Sequence, residues 1–217
     1  MRAMRNIVIL ISGRGSNMQA IVEIARRDQW QCNIAAVISN RADAEGLAFA
    51  TQHGIPTVVV PGKEFASRDS FDAALHAAVD RFDPQLVVLA GFMRILTSQF
   101  VDRYAGRLIN IHPSLLPSFP GLATHRQALA AGVRVHGATV HFVTADLDHG
   151  PIVAQAVVPV LAGDTEQSLA ERVLAQEHAL YPQAVRWFID GLVQLVDGRV
   201  HLHAAAQPNP LFLKVTA

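Results

Sequence analysis

From residue 6 to residue 112, short apolar runs alternate with longer stretches in which apolar residues recur every three or four positions. The short runs, bounded by glycine, proline or polar clusters, read as strands, and the periodic stretches read as amphipathic helices. The pattern predicts strands over 6–11, 33–39, 57–60, 85–90 and 108–112, with helices over 18–27, 44–53, 69–82 and 97–104. Asn17 and Asp43 stand where helix caps are expected, and Gly54-Ile55-Pro56 and Asp83-Pro84 supply stops. Strand and helix in regular alternation describe successive βα units, hence an α/β fold with a mostly parallel, Rossmann-like sheet flanked by helices.

The texture changes after Pro113. A loop rich in proline, glycine and serine runs to Gly121, followed by a short helix over 124–131 and two strand-like runs over 138–144 and 152–158. These flank the turn Asp146-Leu147-Asp148-His149-Gly150 and are expected to pair antiparallel, an antiparallel extension in the C-terminal half. A long helix over 166–190 contains Pro182, which cannot donate a backbone hydrogen bond and marks the expected bend. Runs 192–196 and 199–203, joined by Asp197-Gly198, read as a hairpin. No repeat or long linker divides the chain, so the expected organisation is a single domain over 1–203 and a tail over 204–217.

Composition narrows the partners. Lysine plus arginine equals aspartate plus glutamate, 18 each in 217 residues, so no net field favours nucleic acid or an anionic membrane. The single cysteine, Cys32, cannot form an internal disulfide and is expected to be buried packing. The apolar run at 7–11 is too short for a membrane span or a signal-peptide core. A cytoplasmic protein acting on small molecules is the expectation, as monomer or homodimer.

Two segments carry chemistry. Ser12-Gly13-Arg14-Gly15-Ser16-Asn17 joins the first strand to the first helix, at the sheet edge where α/β proteins place ligands. Glycines admit close approach of an anion to backbone N–H groups, and a helix N-terminus favours phosphate. A dinucleotide fingerprint wants glycine where Met18 stands, and a P-loop wants a Lys-Ser/Thr pair that is missing. A tight βα turn serving geometry alone is the alternative. The second segment is Asn110-Ile111-His112: residues two apart on a strand project from one face, so amide and imidazole point together. With Asp148 they form the set needed to polarise a carbonyl and manage a nucleophile's proton. Singly, each has an ordinary structural use as a strand-end or turn residue. His136, His141, His149 and His178 lack the compact spacing of a zinc site, so no metal is expected.

The stretches Ile11-Ser12-Gly13-Arg14-Gly15-Ser16-Asn17, Leu89-Ala90-Gly91-Phe92-Met93-Arg94-Ile95-Leu96, Ile109-Asn110-Ile111-His112-Pro113-Ser114-Leu115-Leu116-Pro117 and Gly137 through Asp148-His149-Gly150-Pro151 together resemble the phosphoribosylglycinamide formyltransferases, folate-dependent enzymes of purine biosynthesis. The likeness runs from residue 6 to about residue 194. It implies the formyltransferase fold, and transfer of formyl from 10-formyltetrahydrofolate, a cosubstrate, to the amine of 5-phosphoribosyl-glycinamide. It further implies Asn110, His112 and Asp148 as the catalytic residues, with Asp148 favouring the imidazolium form of His112. Gly15, Ser16 and Asn17 match the phosphate-side loop, and Leu174, Ala175, Gln176 and Glu177 match the part meeting glycinamide and ribose. Met93, Arg94, Ile95 and Leu96 match the pterin-contacting loop, Thr144, Ala145, Asp146, Leu147 and Asp148 with Asn110 match the rest of the folate wall, and Arg68 matches a position that meets the folate's glutamate. Ala123 departs from the resemblance, which has a polar residue there, and His125 is the candidate replacement. The rivals are a formyltetrahydrofolate deformylase, which carries an additional regulatory domain before this part, and a non-catalytic phosphate-ligand sensor.

Overall fold

The structure is a computed structural model and describes residues 4–206. It divides into two compact units, residues 1–110 and 111–217.

The first unit is built of βα repeats. β1 (Arg5–Ile11) lies between β2 (Cys32–Ser39) and β4 (Leu86–Leu89), with β3 (Thr57–Val59) outside β2 and β5 (Leu108–His112) outside β4, all parallel. Ile7, Val8, Ile9, Leu10 and Ile11 are wholly buried, as a strand covered on both faces requires. Each such side chain contributes about 1.5–3 kcal/mol by leaving water. The intervening helices are α1 (Ser16–Arg27), α2 (Glu45–Gln52), α3 (Arg68–Asp80) and α4 (Ser98–Arg103), and a 3-10 turn spans Gly62–Glu64.

Two expected caps are not caps. α1 begins two residues before the predicted start, at Ser16, because Gly15 takes the N-cap position with φ +71°, a left-handed conformation glycine reaches without cost from a Cβ. Asn17 is therefore inside the helix, and no side chain caps α1. At α2 the N-cap is Ala44, because the Asp43 carboxylate is engaged by the guanidinium of Arg41 at 2.9 and 2.6 Å. α3 and α4 carry side-chain caps from Ser67 and Thr97. Cys32 is half-buried at the start of β2 rather than buried.

β5 continues into the second unit, where the strand order goes on through β6 (Val135–Phe142) to β7 (Ile152–Pro159), giving β3-β2-β1-β4-β5-β6-β7 overall. β6 and β7 pair antiparallel, with a register shift between Val140 and His141. β6 starts and ends earlier than predicted. Gly137 breaks the strand pattern in the sequence, yet a Cβ there would lie 1.9 Å from the Ala156 carbonyl, so only glycine fits this pairing. At the far end Thr144 has left the strand and its hydroxyl donates to the carbonyl of Asp146. α5 (Thr124–Ala131) precedes β6, and α6 (Glu166–Ile189) covers β6 and β7. α6 starts at a capping box of Thr165 and Ser168 and runs on through Pro182. β8 (Val193–Val196) and β9 (Arg199–Leu202) form the expected hairpin. Of the predicted tail, Ala204–Ala206 is a 3-10 turn and residues 207–217 lie outside the described residues.

Candidate active site

Within the first unit the glycine loop is held from outside itself. The amide of Gly46, on α2, donates to the Gly13 carbonyl at 3.1 Å, and Gly46 has no room for a Cβ beside Ile11, Arg14 and Met18. Above the loop opens a cavity of about 500 Å³ lined by residues 12–17, Asn40, Arg41, Ala90, Gly91 and Met93. Gly15, Ser16 and Asn17 thus meet Met93 around one space, at the carboxyl ends of β1, β2 and β4, where this class of sheet binds ligands. Asn40 and Arg41 were not foreseen. Their signal was positional only, since they directly follow β2.

The loop after β4 presents its predicted residues unequally. Met93 and Ile95 are exposed, at 71 % and 54 %, while Leu96 is packed away. The guanidinium of Arg94 stands 4.2 Å above the Phe71 ring, so that side chain is committed to packing. Arg68 is the first residue of α3 and is exposed.

Within the second unit the loop after β5 folds back through polar contacts. The Ser114 hydroxyl donates to the Ser118 carbonyl, and the buried Thr139 of β6 accepts from the Leu116 amide and donates to the Ser114 carbonyl. Gln155 of β7 donates to the Leu116 carbonyl at 2.9 Å. These bonds satisfy the partly buried backbone of a loop that has no ladder of its own. They also fix Phe119, whose carbonyl lies 3.0 Å from Nε2 of His112.

His112 and Asp148, distant in sequence, come together here. Nδ1 of His112 is 3.4 Å from Oδ2 of Asp148, and both side chains are more than nine-tenths buried. The Gly121 amide donates to the same Oδ2 at 2.9 Å, and His141 approaches Oδ1 at 3.9 Å. Both ring nitrogens of His112 therefore face acceptors, an arrangement complementary to a doubly protonated ring. Burial lowers the pKa of His141, opposed only in part by the bond its Nδ1–H donates to the Phe142 carbonyl and, after that, by the nearby Asp148 charge. Asp148 is held in the turn by backbone conformation: its φ is +55°, and Gly150 two residues later lies so near the Phe142 carbonyl that a Cβ would sit 1.7 Å from that oxygen. Asparagine and aspartate tolerate the left-handed region better than most residues.

Asn110 stands two residues before His112 on β5 and shares its face of the strand. Thr144, Ala145, Asp146 and Leu147 form the rest of the turn. Ala145, Asp146 and Leu147 border a groove of about 610 Å³ together with Pro120, Gly121 and His149. Leu174, Ala175, Gln176 and Glu177 occupy one turn in the middle of α6, with Glu177 buried. Ala123 takes the N-cap position of α5 with φ +55° and makes no side-chain cap. His125 packs edge-on against His136, at 5.3 Å between ring centroids. Among the described residues no group of three or more His, Cys, Asp or Glu is placed to hold a metal ion, and no helix is long and apolar enough to cross a membrane.

Residues 5–185 match the formyl transferase family. The chain is 51% identical over 203 residues to the phosphoribosylglycinamide formyltransferase of Escherichia coli strain K12, covering 94% of this chain and 96% of that protein. The solved phosphoribosylglycinamide formyltransferase of Coxiella burnetii superposes with a TM-score of 0.88 at 50% identity, covering 92% and 93% of the two chains. A formyltetrahydrofolate deformylase from Pseudomonas syringae has the same fold, with a TM-score of 0.86, but only 30% identity, and 67% of its chain is covered against 93% of this one. A glycine loop over a cavity, a buried His–Asp pair at the end of a sheet strand, and likeness over nearly the whole length agree: the chain belongs to the formyl transferase family.

Proposed function

We propose that the protein transfers the formyl group of 10-formyltetrahydrofolate to the amine of 5-phosphoribosyl-glycinamide, in purine biosynthesis and in the cytoplasm. The two units act as one formyltransferase domain over residues 1–203. The observation that carries this reading is the His112–Asp148 pair, with Asn110 on the same strand as the histidine.

In the reaction the amine nitrogen forms a bond to the formyl carbon, the bond from that carbon to the folate nitrogen breaks, and one proton passes from the amine to the folate side. The Asn110 amide donates to the formyl oxygen as negative charge develops there, and protonated His112 donates to the same oxygen or to the leaving nitrogen. Asp148 balances the imidazolium and takes part in moving the amine's proton. No bond to the enzyme forms, and no metal is required. Gly15, Ser16 and Asn17 hold the phosphate, and Leu174, Ala175, Gln176 and Glu177 the glycinamide and ribose. Met93, Ile95, Thr144, Ala145, Asp146 and Leu147 contact the pterin, the backbone of Arg94 and Leu96 adds amides, and Arg68 meets the glutamate tail.

The test mixes the protein with a 10-formyl folate and follows folate absorbance with and without phosphoribosylglycinamide. Consumption that requires the amine supports transfer. Consumption without it points to deformylation, and no consumption at all points to a sensor.

A further inference from the structure

Ser12, directly after β1, is 5 % exposed and makes bonds that leave its own segment. Its hydroxyl donates to Oδ1 of Asn40 at 2.6 Å and accepts from the backbone N–H of Met93 at 2.7 Å, while its own N–H donates to the Gly91 carbonyl at 3.2 Å. One hydroxyl therefore joins three chain segments: the glycine loop, the end of β2 and the loop after β4. The network continues outward. The Asn40 carbonyl accepts from the Gly62 amide at 3.1 Å, and Gly62 is where the Arg94 guanidinium rests, with a Cβ there meeting Nη1 at 2.6 Å. At the other end of the loop the Thr97 amide donates to Asp72. Backbone and Arg94 are pinned while the Met93 and Ile95 side chains stay exposed, the arrangement expected of a loop that offers apolar contacts without ordering cost on binding.

We infer that Ser12 is a positioning residue, its hydroxyl setting the spacing between the glycine loop and the loop that carries Met93 and Ile95. The Met93 amide and the Asn40 carboxamide oxygen both bond to that one hydroxyl, which is itself buried. That this spacing matches two substrates rests on the formyl-transfer reading; the pinning itself does not.

The experiment is amide hydrogen exchange on the full-length, ligand-free protein, comparing wild type with Ser12→Ala and Asn40→Ala, followed by steady-state kinetics. Exchange over residues 91–97 is expected to quicken about five- to tenfold in both variants, the usual consequence of losing one neutral hydrogen bond. Amides of β1 and β4 should stay within about twofold. The KM for formyl folate in Ser12→Ala should rise by about the same five- to tenfold, with kcat held within about threefold. Unchanged exchange over 91–97 overturns the inference, as does an equal quickening throughout the chain with a lowered Tm, which is the signature of general destabilisation. An inactive wild type refutes the formyl-transfer reading alone, since the exchange result is read without substrate.

Discussion

Oδ2 of Asp148 lies 3.4 Å from Nδ1 of His112, while the opposite ring nitrogen is held 3.0 Å from the Phe119 carbonyl. The imidazole is thus oriented from both sides before any substrate arrives, and the Gly121 amide, bonded to the same carboxylate oxygen, orients the partner. Preorganisation of this kind lets a catalytic group act without reorganising during the reaction.

Asp148→Asn keeps the shape of the turn and the bond from Gly121 but removes the charge facing His112. Proton transfer by a positioned group contributes about a hundredfold or more, so kcat should fall by about that factor while KM moves little. Steady-state rates decide it, and a kcat within about threefold of wild type would remove Asp148 from the proton path.

Asn110→Ala withdraws one donor from the formyl oxygen. Turnover should drop about a hundred- to a thousandfold. Titration calorimetry with each substrate should show affinities close to wild type, because the donor matters most where charge develops. Near-normal turnover would refute the role.

Gly150→Ala places a Cβ 1.7 Å from the Phe142 carbonyl, a backbone atom that cannot step aside as a side chain can. The expected loss of stability is about 3 kcal/mol, at the upper end for overpacking, read as a lowered urea midpoint at unchanged m-value. Activity should fall further than stability alone explains, since the displaced turn carries Asp148. A midpoint equal to wild type would show that the two strand ends can part freely.

His136 gives a pH dependence whose sign follows from its burial. The ring is wholly buried and neither nitrogen has a hydrogen bond of ordinary geometry. The Pro113 carbonyl offers it weak support but already accepts from the Thr124 hydroxyl at 2.7 Å. Burial, with His125 adding to it, lowers its pKa to about 4 from the usual 6.5. The unfolded chain therefore binds the proton first: stability is full above about pH 6.5 and is lost as pH falls toward 4, by about 1.4 kcal/mol per pH unit for this one group. His136→Phe should flatten that part of the stability curve, measured by urea titration between pH 7 and about pH 4. An unchanged slope would assign the acid lability elsewhere.

Much of the secondary structure was written in local pattern. The bounds of β5 and α5 coincide with the predicted ones, since alternation and helical period are properties of consecutive residues. For the same reason the shared face of Asn110 and His112 needed no coordinates, only a strand. Boundaries failed where a contact from elsewhere outweighed local preference. Asn17 and Asp43 have good capping side chains, but a left-handed glycine took the first one's place and Arg41 engaged the Asp43 carboxylate. β6 begins early because the Ala156 carbonyl excludes every side chain at Gly137, a fact about the facing strand that no window around residue 137 contains.

The sequence by itself determined the α/β class, the glycine loop between β1 and α1, and the residue types available to polarise a carbonyl, because each is encoded by composition and short-range spacing. Only the tertiary structure decided that Asp148 comes within 3.4 Å of His112, which ring nitrogen it faces, and that Ser12 rather than a loop neighbour holds the Met93 amide. Those pairings depend on strand order, on the register shift in β6 and on backbone conformations such as the positive φ of Asp148. Contacts between residues far apart along the chain follow from how elements pack together, and packing is settled by the whole set of buried surfaces rather than by any one segment.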